Sequence, residues 1–261
     1  MIIFKKTSIL PALATLCFPP LCIACGALLE EEREEPFCPA CLSRINRAEG
    51  SFCLICGKPL EAPSSDSGHV CGDCILHPPP FSRVRTLGIY EGPLLEAIHS
   101  FKYRKNIAAG ERLGNMMARR NYDLLNPADY DVVVPVPLHP EKLRKRGFNQ
   151  ALVLAGKIAR RFDRPINFTS LKKIAQGPPQ VGLGRKRRER NIRGTFAVAD
   201  ESRLQKTRVL LVDDVYTTGS TVRECARVLK QSGAVDVAVV ALARTRSDGH
   251  GRQAEGDGTD E

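Results

Sequence analysis

Val209-Leu210-Leu211-Val212-Asp213-Asp214-Val215-Tyr216-Thr217-Thr218-Gly219-Ser220-Thr221 joins an apolar run, two adjacent carboxylates and a short loop of hydroxyls and glycine. The apolar run is short and rich in Val and Leu, as expected of a strand buried on both faces of a parallel sheet. Open α/β sheets bind ligands at the carboxyl ends of such strands. A helical pattern from Val222 to Gln231 follows at once, so Thr217 to Thr221 lie where a helix begins. Backbone N–H groups at a helix N-terminus have no intrahelical acceptor and favour anions, phosphate above all. Asp213 and Asp214 stand one loop away, placed to accept hydrogen bonds from sugar hydroxyls. A ribose carrying a 5'-phosphate satisfies both halves together.

Competing nucleotide motifs are missing from the sequence. There is no G-x-x-x-x-G-K-[ST], and Gly182-x-Gly184 has neither the third glycine nor the preceding strand of a dinucleotide site. The thirteen-residue stretch resembles the phosphoribosyl pyrophosphate (PRPP) signature of type I phosphoribosyltransferases, and every position fits that pattern. The resemblance implies that Asp213 and Asp214 hold the ribose 2'- and 3'-hydroxyls. It makes Thr217, Thr218, Gly219, Ser220 and Thr221 the 5'-phosphate loop. It also implies an α/β fold, Rossmann-like, with a mainly parallel sheet and helices on both faces.

Working towards the N-terminus, Asp131-Val132-Val133-Val134-Pro135-Val136-Pro137 reads as a second buried strand ended by prolines. Val84 to Tyr90 reads as a strand, and Leu94, Leu95, Ile98 and Phe101 form the apolar stripe of a helix. A second helix is expected over about Ala109 to Asn121, and another from Gly147 to Phe162. Phe196 to Val198 and Val235 to Leu242 complete the expected strands. Residues 176–194 are polar, basic and rich in Gly and Pro, which suits a mobile loop.

Eight of the ten cysteines form C-x-x-C pairs: Cys22/Cys25, Cys38/Cys41, Cys53/Cys56 and Cys71/Cys74. Gaps of 12 and 14 residues within couples, with 11 between them, give two consecutive four-cysteine frames at structural-zinc spacing. Four thiolates leave no open position on zinc, so the role is structural rather than catalytic. Sequential pairing is the simplest arrangement; interleaved pairing satisfies the same spacing. Free thiols held by metal suit a reducing, cytoplasmic setting better than a disulfide framework does. Cys17 and Cys225 stand outside the frames, and Cys225 falls within the last helix as a small core residue.

These readings divide the 261-residue chain into an N-terminal helix (1–20), a double zinc ribbon (21–76), an α/β domain (81–245) and a disordered tail (246–261). His77-Pro78-Pro79-Pro80 is a stiff linker between ribbon and domain. The N-terminus is a poor secretory signal, because Pro11 and Pro19-Pro20 interrupt its apolar stretch and no A-x-A site follows. No apolar run reaches the roughly 18 residues that span a bilayer.

The net charge of +10 is concentrated. Between Lys142 and Arg193 there are 16 Lys or Arg against two acids, Asp163 and Glu189. Pyrophosphate leaving a ribose develops several negative charges, and a basic segment over the strand ends supplies the cations that stabilise it. Arg146, Arg187 and Arg190 are the expected pyrophosphate contacts, with Arg144 and Lys145 behind them. The resemblance adds Val136 and Pro137, in the loop after the second buried strand, as backbone contacts. It also adds Mg²⁺ bridging the phosphate oxygens.

Three further strings narrow the resemblance. Pro135-Val136-Pro137-Leu138-His139, Arg144-x-Arg146-Gly147-Phe148-Asn149-Gln150, and Arg190-Asn191 with Gly194-x-Phe196 are similar to the ComF family of phosphoribosyltransferase-like proteins. That family also carries N-terminal cysteine pairs and is associated with DNA uptake in natural transformation. The resemblance implies PRPP as a ligand, an unidentified acceptor, and single-stranded DNA and DNA-uptake proteins as partners. Two readings follow: a Mg²⁺-dependent phosphoribosyltransferase, or a non-catalytic, PRPP-sensing protein that binds single-stranded DNA. A zinc-ribbon adaptor that uses neither activity is the third.

Overall fold

A computed structural model describes residues 19–30, 35–47, 50–60, 69–175 and 191–246. Most of the expected N-terminal helix and all but the first residue of the tail lie outside them. So do residues 31–34, 48–49 and 61–68 and most of the expected loop over 176–194.

The centre is a parallel sheet of β1 (Arg83–Ile89), β2 (Val132–Pro135), β5 (Arg208–Tyr216) and β6 (Asp236–Arg244), in the order β1-β6-β5-β2. Ile166 bridges in parallel to Val133 and adds a short rung beyond β2. Side chains of successive strand residues point to opposite faces, so β5 feeds two separate cores. Leu210 and Val212 pack against α3 (Gly92–Tyr103), α4 (Ile107–Arg119) and α6 (Gln150–Arg161). Val209 and Leu211 face α7 (Ser220–Gln231) instead. All four are fully buried, each contributing roughly 1.5–3 kcal/mol relative to exposure. A small antiparallel ribbon of β3 (Leu171–Lys173) and β4 (Phe196–Val198) closes the second face. Cys225 on α7 is fully buried there, and burial pushes its thiol well above the usual range.

The helix expected over Gly147–Phe162 is α6, which starts at Gln150, and a helix that was not expected precedes it. A separate helix, α5 (Pro140–Arg146), comes first and ends at Gly147 in the left-handed conformation, φ +86°. A glycine in that conformation terminates helices at little steric cost. Asn149 then caps α6, its side chain accepting from the Ala151 N–H at 3.0 Å. Both ends are therefore encoded locally, by a C-terminal glycine and an N-cap asparagine only two residues apart.

The cysteine module sits against this body. Short helices α1 (Pro39–Ser43) and α2 (Gly72–Leu76) each carry the last cysteine of a frame. Cys22, Phe37, Cys41 and Ile45 of the first frame join the core under α3 and α4. In the second frame the Ile55 carbonyl accepts from the Val84 N–H at 2.6 Å, and the Cys56 carbonyl from Arg244 Nη1 at 2.6 Å.

Candidate functional site: the crevice at the end of β5

Beyond Val212 the two neighbours of β5 part company. β2 pairs with it only as far as Pro135↔Val212, whereas β6 follows to Tyr216↔Arg244. α6 after β2 and α7 after β5 lie on opposite faces. A crevice therefore opens between β5 and β2 at the point where the winding of the sheet reverses, the usual ligand position in such folds.

The two acids stand at this opening in different surroundings. Asp214 Oδ2 lies 3.0 Å from Lys102 Nζ on α3, with side-chain exposures of 17% and 14%. Asp213 Oδ1 accepts from the Asp214 N–H at 2.8 Å. Burial and the adjacent Asp214 push the Asp213 carboxyl up to about 7, against the opposing pull of Lys102 and Lys173. One acid is therefore ion-paired, and the other is poised between its charged and neutral forms near neutral pH.

The loop that follows leaves backbone amides without acceptors. Gly219 stands at the N-cap of α7 with φ +76° and gives no side-chain cap. The first helical bond runs from the Arg223 N–H to the Gly219 carbonyl at 2.8 Å. Among the described residues the Thr221 and Val222 N–H groups have no acceptor. Thr218 Oγ1 and Ser220 Oγ share a hydrogen bond of 2.8 Å, and the exposed Thr217 lies ahead of them. Tyr216 sets the floor: it is buried, edge-on to Phe81 with centroids 6.5 Å apart, and lies under the Arg244 guanidinium at 5.5 Å. A Cβ on Gly219 would meet its hydroxyl and, at 2.7 Å, its Cζ. Only glycine satisfies both the backbone angle and this close approach.

Across the crevice, the Val136 N–H donates to the Val212 carbonyl at 2.9 Å. Its own carbonyl accepts from Asn149 Nδ2 at 3.1 Å, and Pro137 carries no N–H. Val136 and Pro137 thus shape this loop, and its first amide available to an anion is that of Leu138. Arg146 lies at the end of α5 with its guanidinium 5.8 Å from the Tyr103 ring, beside the residue that pairs with Asp214. Arg187 and Arg190 lie outside the described residues.

Sequence reasoning passed over the wall of the site on α3. Tyr90 at the end of β1 shares a 2.9 Å hydrogen bond with His99 Nε2, and His99 meets the Tyr103 ring edge-on at 5.3 Å. Burial, with Tyr103 and Asp214 nearby, pushes the Tyr90 hydroxyl up to about 12. The available signal was positional: Tyr90 ends a strand at the ligand edge, and Lys102 and Tyr103 flank the apolar stripe of the next helix. Lys173 of β3 was also missed. Burial and the nearby Lys142 lower its ammonium pKa, while Asp213 and Cys225 oppose the shift.

Both cysteine frames assemble sequentially. Cys22, Cys25, Cys38 and Cys41 bring their sulfurs within 4.8 Å of one another, as do Cys53, Cys56, Cys71 and Cys74. The Cys25–Cys38 and Cys56–Cys71 sulfur separations are 3.7 Å. A tetrahedron with Zn–S bonds of about 2.3 Å has edges of about 3.8 Å, so the donor sets fit zinc. Cys53 Sγ also accepts from the Cys71 and Cys56 N–H groups at 3.3 and 3.5 Å. The hydrogen bond from the Cys56 side chain, helped by these amides, pulls the Cys53 thiol down to about 4.

Residues 13–75 match the double zinc ribbon domain, and residues 149–257 match the phosphoribosyl transferase domain. The DNA utilization protein YhgH of Salmonella typhimurium is 32% identical over 241 residues, covering 90% of this chain and 98% of that protein. Competence protein F of Haemophilus influenzae is 30% identical over 230 residues, covering 85% and 96%. Among solved structures, the purine phosphoribosyltransferase from Pyrococcus horikoshii aligns with a TM-score of 0.33 at 18% identity, over 53% of this chain and 84% of that one. No helix among the described residues is long and apolar enough to cross a membrane.

Proposed function

The chain belongs to the ComF family, and on that premise we propose that it binds PRPP with Mg²⁺ in the β5–α7 crevice and transfers the phosphoribosyl group to an acceptor. One observation carries the reading: two acids close β5 one loop before a helix N-terminus whose Thr221 and Val222 amides have no acceptor. The amides and the Thr217–Thr221 hydroxyls take the 5'-phosphate. Asp213 and Asp214 accept from the ribose hydroxyls, and Lys102, 3.0 Å from Asp214, holds that carboxylate in place. Arg146, Arg187 and Arg190, with the Leu138 amide, face the pyrophosphate. The acceptor attacks C1', the bond from C1' to the pyrophosphate oxygen breaks, and pyrophosphate leaves with the electron pair.

Mg²⁺ fits the donors present, because two carboxylates beside phosphate oxygens suit a hard cation that keeps most of its water. When bound, it neutralises part of the pyrophosphate charge. The names of the relatives, DNA utilization protein and competence protein, suggest that the activity serves the uptake or use of DNA.

Calorimetric titration of PRPP with Mg²⁺ into the zinc-loaded chain tests the reading. Saturable binding to wild type, lost in Asp213→Asn and in Asp214→Asn, is the expected result; no saturable binding to wild type refutes it. The second reading, PRPP sensing without transfer by a protein that binds single-stranded DNA, draws on the +10 charge and the basic tract over 142–193. It requires PRPP binding with no pyrophosphate released. If PRPP displaces a bound oligonucleotide, the basic residues belong first to the PRPP site.

A further inference from the structure

β1 is an edge strand, and edge strands expose unpaired backbone unless something covers them. Here the cysteine module covers the two ends. The Val84 N–H donates to the Ile55 carbonyl at 2.6 Å, and the Ile89 N–H to the Asn46 carbonyl at 2.7 Å. Between these two clamps the edge opens onto a cavity of about 160 Å³, lined by Arg47, Phe52, Arg85, Thr86, Arg120 and Asp123 among others. It lies at the junction of three parts of the chain: the connection between the two cysteine frames, the strand itself, and the turn after α4. Arg85 precedes Tyr90 by five residues, so the cavity lies roughly 16 Å down the strand from the crevice at the strand ends.

The charge balance of this cavity is unusual. Among the described residues three arginines line it against one carboxylate, Asp123. Arg85 is only 6% exposed, yet its hydrogen bonds run to carbonyls alone. Nε donates to Asp123 O at 2.7 Å, Nη1 to Val84 O at 2.7 Å and Nη2 to Leu54 O at 3.1 Å, and the guanidinium lies 4.8 Å from the centre of the Phe52 ring. A guanidinium has five N–H donors, so three bonds to carbonyls leave donors to spare. Burial and the neighbouring Arg83 lower the pKa of Arg85, and Asp123, Cys53 and Cys56 offset only part of this. Arg47 and Arg120, at the mouth, form no ion pair among the described residues. Among the described residues no carboxylate bonds the buried Arg85 guanidinium, and two more arginines stand beside it, so the cavity holds more guanidinium donors than acceptors. Guanidinium forks are best matched by a tetrahedral oxyanion, which accepts several N–H bonds at once.

We propose that this cavity is a phosphate-binding site, separate from the β5–α7 crevice, with Arg47, Arg85 and Arg120 as its cations. At about 30 Å³ per water the space holds roughly five waters, room for a phosphate and its immediate substituent but not for a whole nucleotide. The occupant is a phosphate group, either free or carried by a longer chain that continues out past Arg47 and Arg120. Binding there would tie the connection between the cysteine frames to the free edge of the sheet.

Inorganic phosphate titrated calorimetrically at low ionic strength into the full zinc-loaded chain tests this. The variant is Arg47→Gln/Arg120→Gln, which alters the two partly exposed arginines and spares the buried Arg85. The expected result is one fewer phosphate equivalent in the variant than in wild type, with PRPP affinity unchanged. Equal stoichiometry in the two proteins overturns the proposal, whatever the PRPP site does. A parallel titration with a twelve-residue oligothymidylate separates the sources: at least tenfold weaker binding by the variant identifies a chain phosphate as occupant, and unchanged oligonucleotide binding identifies free phosphate.

Discussion

Gly219→Ala tests the geometry of the anion loop at its tightest point. Two costs combine. A residue with a Cβ at φ +76° loses roughly 1–2 kcal/mol to backbone strain. The new Cβ would also overlap the Tyr216 hydroxyl and lie 2.7 Å from its Cζ and 3.0 Å from its Cε2, where ordinary contact begins at 3.4 Å. The ring must therefore retreat by more than half an ångström, and Phe81 on one side and Arg244 on the other hold it in place. Overpacking of this kind costs about 1–3 kcal/mol. The total expected loss is about 2–5 kcal/mol, a fall in Tm of several degrees for a chain of this size. Urea denaturation followed by circular dichroism reads it directly. The decisive comparison repeats the substitution in a Tyr216→Ala background, where the overlap is gone and only the backbone strain remains. Gly219→Ala should then cost about 1–3 kcal/mol less than it does in wild type. Equal costs in the two backgrounds, within about 0.5 kcal/mol, would falsify the claim that Tyr216 sets the floor of the loop.

Three other perturbations probe separate parts of the molecule. Lys102→Met removes the partner of a largely buried carboxylate and should cost about 2–3 kcal/mol, most of it regained in Lys102→Met/Asp214→Leu; no recovery in the double variant contradicts the ion-pair assignment. Because the Asp213 carboxyl sits near 7 when folded and near 3.8 when unfolded, the unfolded chain ionises first and stability falls as pH rises from about 4 to 7. Asp213→Asn abolishes that slope, at most about 1.4 kcal/mol per pH unit, so its advantage over wild type should be larger at pH 7.5 than at pH 5. Parallel stability profiles for the two proteins would count against a raised pKa. Titration with a mercurial should release two zinc ions per chain, and Cys53→Ser/Cys56→Ser should release one and melt well below wild type, because structural zinc contributes about 10–16 kcal/mol to folding. A variant that still releases two ions refutes the second site.

What the sequence disclosed and what it hid divide along a physical line. Val209 to Val212 and the acids after them were legible because a strand buried on both faces, an acid pair and a helix start are each local patterns. The four-cysteine frames were legible for the same reason, since ligand spacing is a property of the chain, although their sequential assembly needed coordinates. Helix α5 was missed although Gly147 marks its end locally, because its seven residues bury nothing and carry no apolar stripe. Lys102, by contrast, meets Asp214 across 112 positions of sequence, and nothing near either residue announces the other. The same holds for Arg244, whose guanidinium joins the carbonyl of Cys56 to the ring of Tyr216. Through those two contacts the second cysteine frame touches the floor of the anion loop. If zinc orders Cys56, it also fixes Arg244, and with it the ring against which Gly219 closes. The ribbon is then part of what shapes the loop, and loss of metal from the second frame should loosen the crevice before it unfolds the sheet.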